Sequence, residues 1–119
     1  MPFMFENLDV YQKSVDLAEK VINFTNEFPK GYYFLTDQLN RASLSIATNI
    51  AEGNGRFTKR DRRNFFIIAR GSVQECVPLL EIARRKQLIS DMGLSDLLNQ
   101  LETISKMISG LINGLEKRK

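Results

Sequence analysis

The sequence predicts an all-α protein that folds as an antiparallel up-down four-helix bundle. Three observations predict it: apolar residues recur every three to four positions along four segments, no segment alternates as a β-strand does, and short breaks separate the segments. Four amphipathic helices joined by short links pack best as antiparallel neighbours. A chain of 119 residues suffices for one hydrophobic core, so we expect residues 1–119 to form a single domain.

The first helix is predicted from about Asp9 to Phe28. One stripe of the helix carries large apolar residues at the spacing of a 3.6-residue period: Val10, Leu17, Val21, Phe24 and Phe28. Pro29 follows directly, and proline disfavours helical dihedral angles in the residue before it. We therefore expect the helix to end there.

The second helix is predicted to begin near Thr36, a good N-cap residue, and to end around Gly53 to Gly55, where glycine tolerates a left-handed conformation. From residue 38 to residue 51 the only charged side chain is Arg41. A surface helix normally carries more charge, so we expect this helix to be covered on more than one side. Its own bundle or a second subunit would provide the cover.

The third helix is predicted to begin at Thr58, because Asp61 three residues later completes a start that resembles a capping box. It should run to about Leu88. Pro78 lies inside this range and removes one backbone hydrogen bond, but the apolar pattern continues beyond it. We therefore expect a kinked helix and not two separate ones.

The fourth helix has the most regular pattern of the chain. Leucine and isoleucine recur in steps of three and four at Leu94, Leu97, Leu98, Leu101, Ile104, Ile108, Leu111 and Leu115. Its start is open between Ser90 and Ser95, because Gly93 is a poor residue for a helix interior.

Several classes of chemistry require residues that the chain lacks. It has no histidine, and its single cysteine, Cys76, has no partner for an internal disulfide, a catalytic thiolate pair or a zinc site. No glycine-rich phosphate loop with the required spacing is present. We predict a protein that is not an enzyme and has no cofactor and no bound metal. The longest apolar run has five residues, far too few to cross a membrane, and the N-terminus lacks the pattern of a signal peptide, so the expected location is the cytoplasm.

A row of polar residues follows one face of the second helix, and two further polar residues lie on a similar face of the third. The members are Arg41, Ser45, Asn49, Glu52 and Arg56, with Ser72 and Glu75 on the third helix. One interpretation is a buried network in which Arg41 and Arg56 neutralise Glu52 and Glu75. A ligand or partner surface and acid–base catalysis by Glu52 with Glu75 are the alternatives.

Positive charge is concentrated in one part of the chain. The net charge is +3, but residues 56–86 contain nine basic and three acidic residues, which gives this range a local charge of +6. Five of these cations stand at the start of the third helix: Arg56, Lys59, Arg60, Arg62 and Arg63. A helix N-terminus normally favours negative charge, so five cations are electrostatically unfavourable there. The free amides of the helix N-terminus and the basic side chains would together suit a phosphate group. Of the nearby aromatic residues, Phe57 in the turn is the one that we expect to be exposed.

Residues 35–56, which read LTDQLNRASLSIATNIAEGNGR, and residues 65–75, which read FFIIARGSVQE, resemble a family of four-helix-bundle proteins first noticed in intervening sequences of bacterial 23S rRNA genes. The chain is also similar to the accessory variability proteins of diversity-generating retroelements. The likeness extends back through residues 8–18, so it covers most of the chain. The resemblance implies a homopentamer, and in the retroelement relatives it implies contact with RNA or DNA and with a reverse transcriptase.

Two functions compete on these observations. The first is a non-catalytic, oligomeric protein associated with nucleic acid, whose basic cluster contacts phosphates without reading base sequence. The second is a protein-binding scaffold that docks an acidic partner and never contacts nucleic acid.

Overall fold

A computed structural model describes Phe5 and residues 8–117 of the chain. The expectation about a signal peptide concerns the N-terminus and falls mostly outside these residues. The described residues form four helices: α1 (Asp9–Asn26), α2 (Tyr33–Asn54), α3 (Lys59–Arg85) and α4 (Asp91–Lys117). They contain no strand, so the predicted all-α fold class is confirmed.

Each helix packs against its neighbours in sequence, and α1 also contacts α4. The four helices therefore surround one core in the cyclic order of the chain, as the short connections require of an antiparallel bundle. The bundle measures 50 × 27 × 21 Å. Side chains from all four helices fill the core, and the largest that are fully buried include Leu17, Leu39, Ile46, Leu80, Leu101 and Ile108.

The prediction that Thr36 caps α2 is wrong. The helix begins three residues earlier, at Tyr33, because the amides of Leu35 and Thr36 already donate to the Tyr32 carbonyl oxygen. Leu35 is 2% exposed, and a helical turn at this point is what directs its side chain into the core. Gly31, with a φ angle of 100°, lets the chain turn sharply just before the helix.

The end of α2 also differs from the prediction in its cause. Gly55 caps the helix with a φ angle of −86°, so no left-handed residue is needed. Gly53 serves a different purpose: a Cβ atom there would lie 2.7 Å from Cε1 of Phe66, which is 3% exposed. The glycine therefore lets α2 and α3 approach each other closely, with the Phe66 ring packed onto the α2 backbone.

The predicted start of α3 is confirmed. The Thr58 side chain accepts a hydrogen bond of 3.1 Å from the backbone amide of Asp61. Pro78 is exposed and lies within continuous helix, so α3 is one helix and not two, as predicted. The helix ends before Leu88, because Gln87 adopts a φ angle of 62° and reverses the chain.

The start of α4 is at the earlier of the two predicted serines. The Ser90 side-chain oxygen accepts a hydrogen bond of 2.9 Å from the amide of Gly93. Gly93 thus lies in the first turn, where its amide would otherwise have no partner within the helix. Its predicted cost as an interior residue does not arise at this position.

Candidate nucleic-acid interface

The structure places all five residues of the basic cluster around the turn between α2 and α3, at one end of the long axis. Arg56 lies in the turn, and the other four occupy the first residues of α3. All are exposed except Arg62, which is half-buried. The sequence brings them together because they fall within eight consecutive positions.

Hydrogen bonds hold this turn in one conformation. The Gly55 amide donates to carbonyl oxygens of the last turn of α2, and the amide of Arg56 donates to the Gly53 carbonyl oxygen. From the other side, Nε of Arg62 donates to the Arg56 carbonyl oxygen at 2.7 Å. Arg62 therefore supports the turn as well as adding charge. Its half-burial follows from this contact.

Arg56 and Arg63 are each paired with a carboxylate. Arg56 lies 3.0 Å from Glu52 one helical turn earlier, and its guanidinium also stacks 4.6 Å from the centre of the Phe65 ring. Arg63 donates to Glu116 of α4 at 2.9 Å. Both pairs are about half exposed, so a phosphate can compete for the arginines at a modest cost.

A shallow groove of about 210 Å³ runs between the start of α3 and the end of α4. It is lined by Lys59, Arg60, Arg63, Leu115 and Glu116. Arg60 is exposed, and no hydrogen bond or ion pair joins it to another described residue. Its five N–H donors can thus contact a bound anion without first leaving a partner.

The three aromatic residues near the cluster differ sharply in exposure. Phe66 is in the core and Phe65 is half-buried beneath Arg56, whereas Phe57 is 99% exposed at the tip of the turn. The prediction that Phe57 is the exposed aromatic residue of this region is confirmed. A phenyl ring in this position adds nothing to the core, and it stands beside the cations.

The polar row does not form the predicted buried network. Arg41, Glu52 and Glu75 are all exposed, and no hydrogen bond or ion pair connects Arg41 or Glu75 to another described side chain. Glu52 pairs with Arg56 at the surface. The reason is the position of α2, which packs only against α1 and α3, so that the row lies at the edge of the α2–α3 contact and its charged side chains reach water.

The uncharged members of the row do come together. The Ser72 hydroxyl lies 2.9 Å from that of Ser45, so a hydrogen bond crosses between α3 and α2. Asn49 donates from its side-chain amide to both the hydroxyl and the carbonyl oxygen of Ser45. Ser72 is 7% exposed, so only this small part of the predicted network is buried.

Sequence reasoning missed Glu116 and Leu115, which complete the groove. In an antiparallel bundle the end of α4 must lie beside the start of α3, so the topology itself was the available signal. The pairing of Arg63 with one particular carboxylate 53 positions away depends on how the two helices are rotated. That rotation is a property of the packed core.

Among the described residues, Cys76 is the one with a strongly perturbed pKa. Burial raises the pKa of its thiol to about 12, and the negative charge of Glu75 adds to the increase. A thiol that stays protonated at neutral pH is a poor nucleophile, so Cys76 acts as a small core residue. Among the described residues, no group of acidic or cysteine side chains is arranged to hold a metal ion.

None of the helices in the described part of the chain has the length and apolar character needed to cross a membrane. The acid–base alternative for Glu52 and Glu75 lacks a suitable environment, because both carboxylates are exposed and no burial isolates them from water.

Comparisons with known proteins agree with this architecture. The family model described as 23S rRNA-intervening sequence protein matches residues 6–110. A crystal structure from Bacteroides thetaiotaomicron, described as a protein with unknown function from the S23 ribosomal protein family, superposes with a TM-score of 0.80 at 24% identity, covering 87% of this chain and 97% of that one. The similarity to that structure supports the fold. No curated protein matches the chain.

Proposed function

The chain belongs to the family of 23S rRNA-intervening sequence proteins, and on that premise we propose that it is a non-catalytic, oligomeric protein that binds nucleic acid through the basic cluster. The observation that carries the proposal is the concentration of five cations in the α2–α3 turn and the start of α3, with Arg60 exposed and joined to no other described residue. Cations so arranged contact phosphates, which carry no base sequence, so binding should be independent of sequence.

Oligomerisation is the second part of the proposal, with a ring of five copies as the expected form. Support comes from the outer faces of α2 and α3, where Leu44, Ile68 and Ile82 each remain at least 44% exposed. Exposed large apolar side chains such as these would be covered if a second subunit packed on these faces. A ring would also repeat the basic cluster, so that weak phosphate contacts combine into useful avidity.

The same proposal covers protein partners. A reverse transcriptase is one candidate, on the predicted resemblance to accessory variability proteins, and an acidic protein is the candidate under the scaffold alternative. Both would use the exposed cations of the basic cluster.

The test of nucleic-acid binding is a fluorescence anisotropy titration with mixed-sequence RNA at low salt. The five cations of the basic cluster can neutralise at most about five phosphates per subunit. For a single strand this predicts a negative slope, no steeper than roughly −3.5, in a plot of log affinity against log salt concentration. Weak dependence on sequence is expected.

The matched variants are two double charge reversals. Lys59→Glu with Arg60→Glu should abolish binding, and it should leave the fold intact because acidic residues suit the first turn of a helix. Lys13→Glu with Lys30→Glu, at exposed sites away from the turn, changes the net charge equally, from +3 to −1. If both variants bind as the parent does, or if the parent does not bind, the scaffold alternative takes precedence.

The oligomer is tested separately by light scattering at micromolar concentration. The proposal expects a mass several times the 13.7 kDa of one chain. A mass near 13.7 kDa would refute oligomerisation and leave the nucleic-acid test unaffected.

A further inference from the structure

We propose that Phe57 is a stacking platform for an unpaired base, so that the ligand of the basic cluster is single-stranded nucleic acid. This inference rests on the proposed function, because it specifies the ligand of the same surface. Its starting observation is the 99% exposure of Phe57, the most exposed of the large hydrophobic side chains described. Tyr33, Phe34 and Met92, also well exposed, lie toward the other end of the bundle.

The backbone on both sides of Phe57 is fixed. Arg56 before it is held by its carbonyl oxygen and its side chain, through Arg62 and Glu52. Thr58 after it caps α3 and accepts a hydrogen bond from Asp61. The phenyl ring is therefore presented in water from an ordered turn, and binding a ligand would require little ordering of the backbone.

Cations lie on both sides of the ring in sequence, Arg56 before it and Lys59 and Arg60 after it. Single-strand binding proteins combine these two elements: a basic surface that follows the phosphates and an aromatic face on which a base stacks. In a duplex the bases are already stacked on one another and their faces are covered. A duplex can therefore use the cations but cannot use Phe57.

The absence of tryptophan from the chain makes a direct probe available. Phe57→Trp would introduce the one tryptophan of the protein at the proposed platform. Its fluorescence should be quenched by a single-stranded 20-nucleotide RNA and unchanged by the duplex of the same sequence. Phe34→Trp, at a phenylalanine that is 63% exposed near the start of α2, is the matched control and should respond to neither.

Affinity is measured in parallel with Phe57→Ala and its control Phe34→Ala. Because stacking of a base on an aromatic side chain contributes substantially to single-strand binding, Phe57→Ala should weaken the binding of the single-stranded RNA by about tenfold. Binding of the duplex should be unchanged, and Phe34→Ala should bind both RNAs as the parent does. Neither substitution removes a buried side chain, so both proteins should fold.

Three results would overturn the inference. If single strand and duplex bind equally and Phe57→Ala has no effect, the basic cluster binds phosphate alone and the proposed function survives. If the parent binds no RNA, both proposals fail. If the fluorescence of Phe57→Trp shifts to the blue with vesicles containing phosphatidylserine but does not respond to RNA, the ring and cations contact a membrane surface.

Discussion

The close contact between Gly53 and Phe66 leads to a prediction whose size can be worked out from the structure. A Cβ atom at residue 53 would lie 2.7 and 2.9 Å from two carbon atoms of the Phe66 ring and 3.0 Å from Cβ of Phe65. The ring is buried and cannot swing into solvent, so the two helices must separate or the ring must leave its preferred rotamer. Gly53→Ala should therefore destabilise the protein.

Two opposing terms set the magnitude. Overpacking of a core by one methyl group costs about 1–3 kcal/mol. Replacing glycine by alanine in a helix returns at most about 1 kcal/mol, and less here because Gly53 lies in the last turn of α2. The free energy of unfolding should therefore fall by about 1–2 kcal/mol. For a chain of this length the melting temperature should drop by roughly 4–8 °C.

Gly110→Ala is the matched control, because a Cβ atom at this exposed position in α4 meets nothing within 4 Å. This variant should gain about 0.5–1 kcal/mol from helix propensity alone. Both proteins should be compared with the parent by chemical denaturation at one fixed concentration, since assembly makes apparent stability depend on concentration. Opposite signs for the two glycines are the expected result.

A second variant identifies the contact responsible. Phe66→Leu shortens the side chain that blocks residue 53, so the cost of Gly53→Ala should be smaller by about 1 kcal/mol in the Phe66→Leu background. The reasoning is refuted if Gly53→Ala is as stable as the parent. It is also refuted if the costs of the two substitutions simply add, because the packing of Phe66 would then not be the cause.

Three further predictions concern other parts of the chain. Glu52→Ala should lower the free energy of unfolding by less than about 1 kcal/mol in a denaturant titration, because its pair with Arg56 is about half exposed; a cost near 3 kcal/mol would instead indicate a buried pair. Gln87→Gly should raise the free energy of unfolding by about 1 kcal/mol in the same assay, because the φ angle of 62° suits glycine; no gain would mean that residue 87 is not strained. The free energy of unfolding should fall as the pH rises from 9 towards 12, because the pKa of the Cys76 thiol is 9.0 in the unfolded chain and about 12 in the folded protein. Cys76→Ala should lose this part of the pH dependence. Identical pH profiles for the variant and the parent would contradict the raised pKa.

How much of the fold could be predicted depended on whether the deciding interaction is local. The start of α3 is decided by Thr58 and Asp61, three residues apart, and the sequence was sufficient to place it. The start of α2 is decided by the burial of Leu35 against other helices, which outweighed the local preference of Thr36 for an N-cap. Gly53 was identified as important for its backbone freedom, but its role is to make room for Phe66.

The candidate site divides in the same way. The basic cluster occupies consecutive positions, so the sequence located it and also indicated that Phe57 is exposed. The polar row lies on one face of a helix, and sequence periodicity cannot say whether that face meets the core or water. The order of the helices around the bundle decides this, and it exposes Arg41 and Glu75 while joining Ser45 to Ser72.

The position of the basic cluster at one end of an elongated bundle determines how much of a polymer one subunit would occupy. The end face measures about 27 × 21 Å and the long axis 50 Å. With about 3.4 Å per nucleotide along a stacked strand, a subunit bound by its end covers roughly 8 nucleotides, whereas one lying along the strand would cover roughly 15. A nucleic acid bound through this turn therefore has room for almost twice as many subunits per unit length as one bound along the long axis of the bundle. The long axis of each subunit would then point away from the nucleic acid.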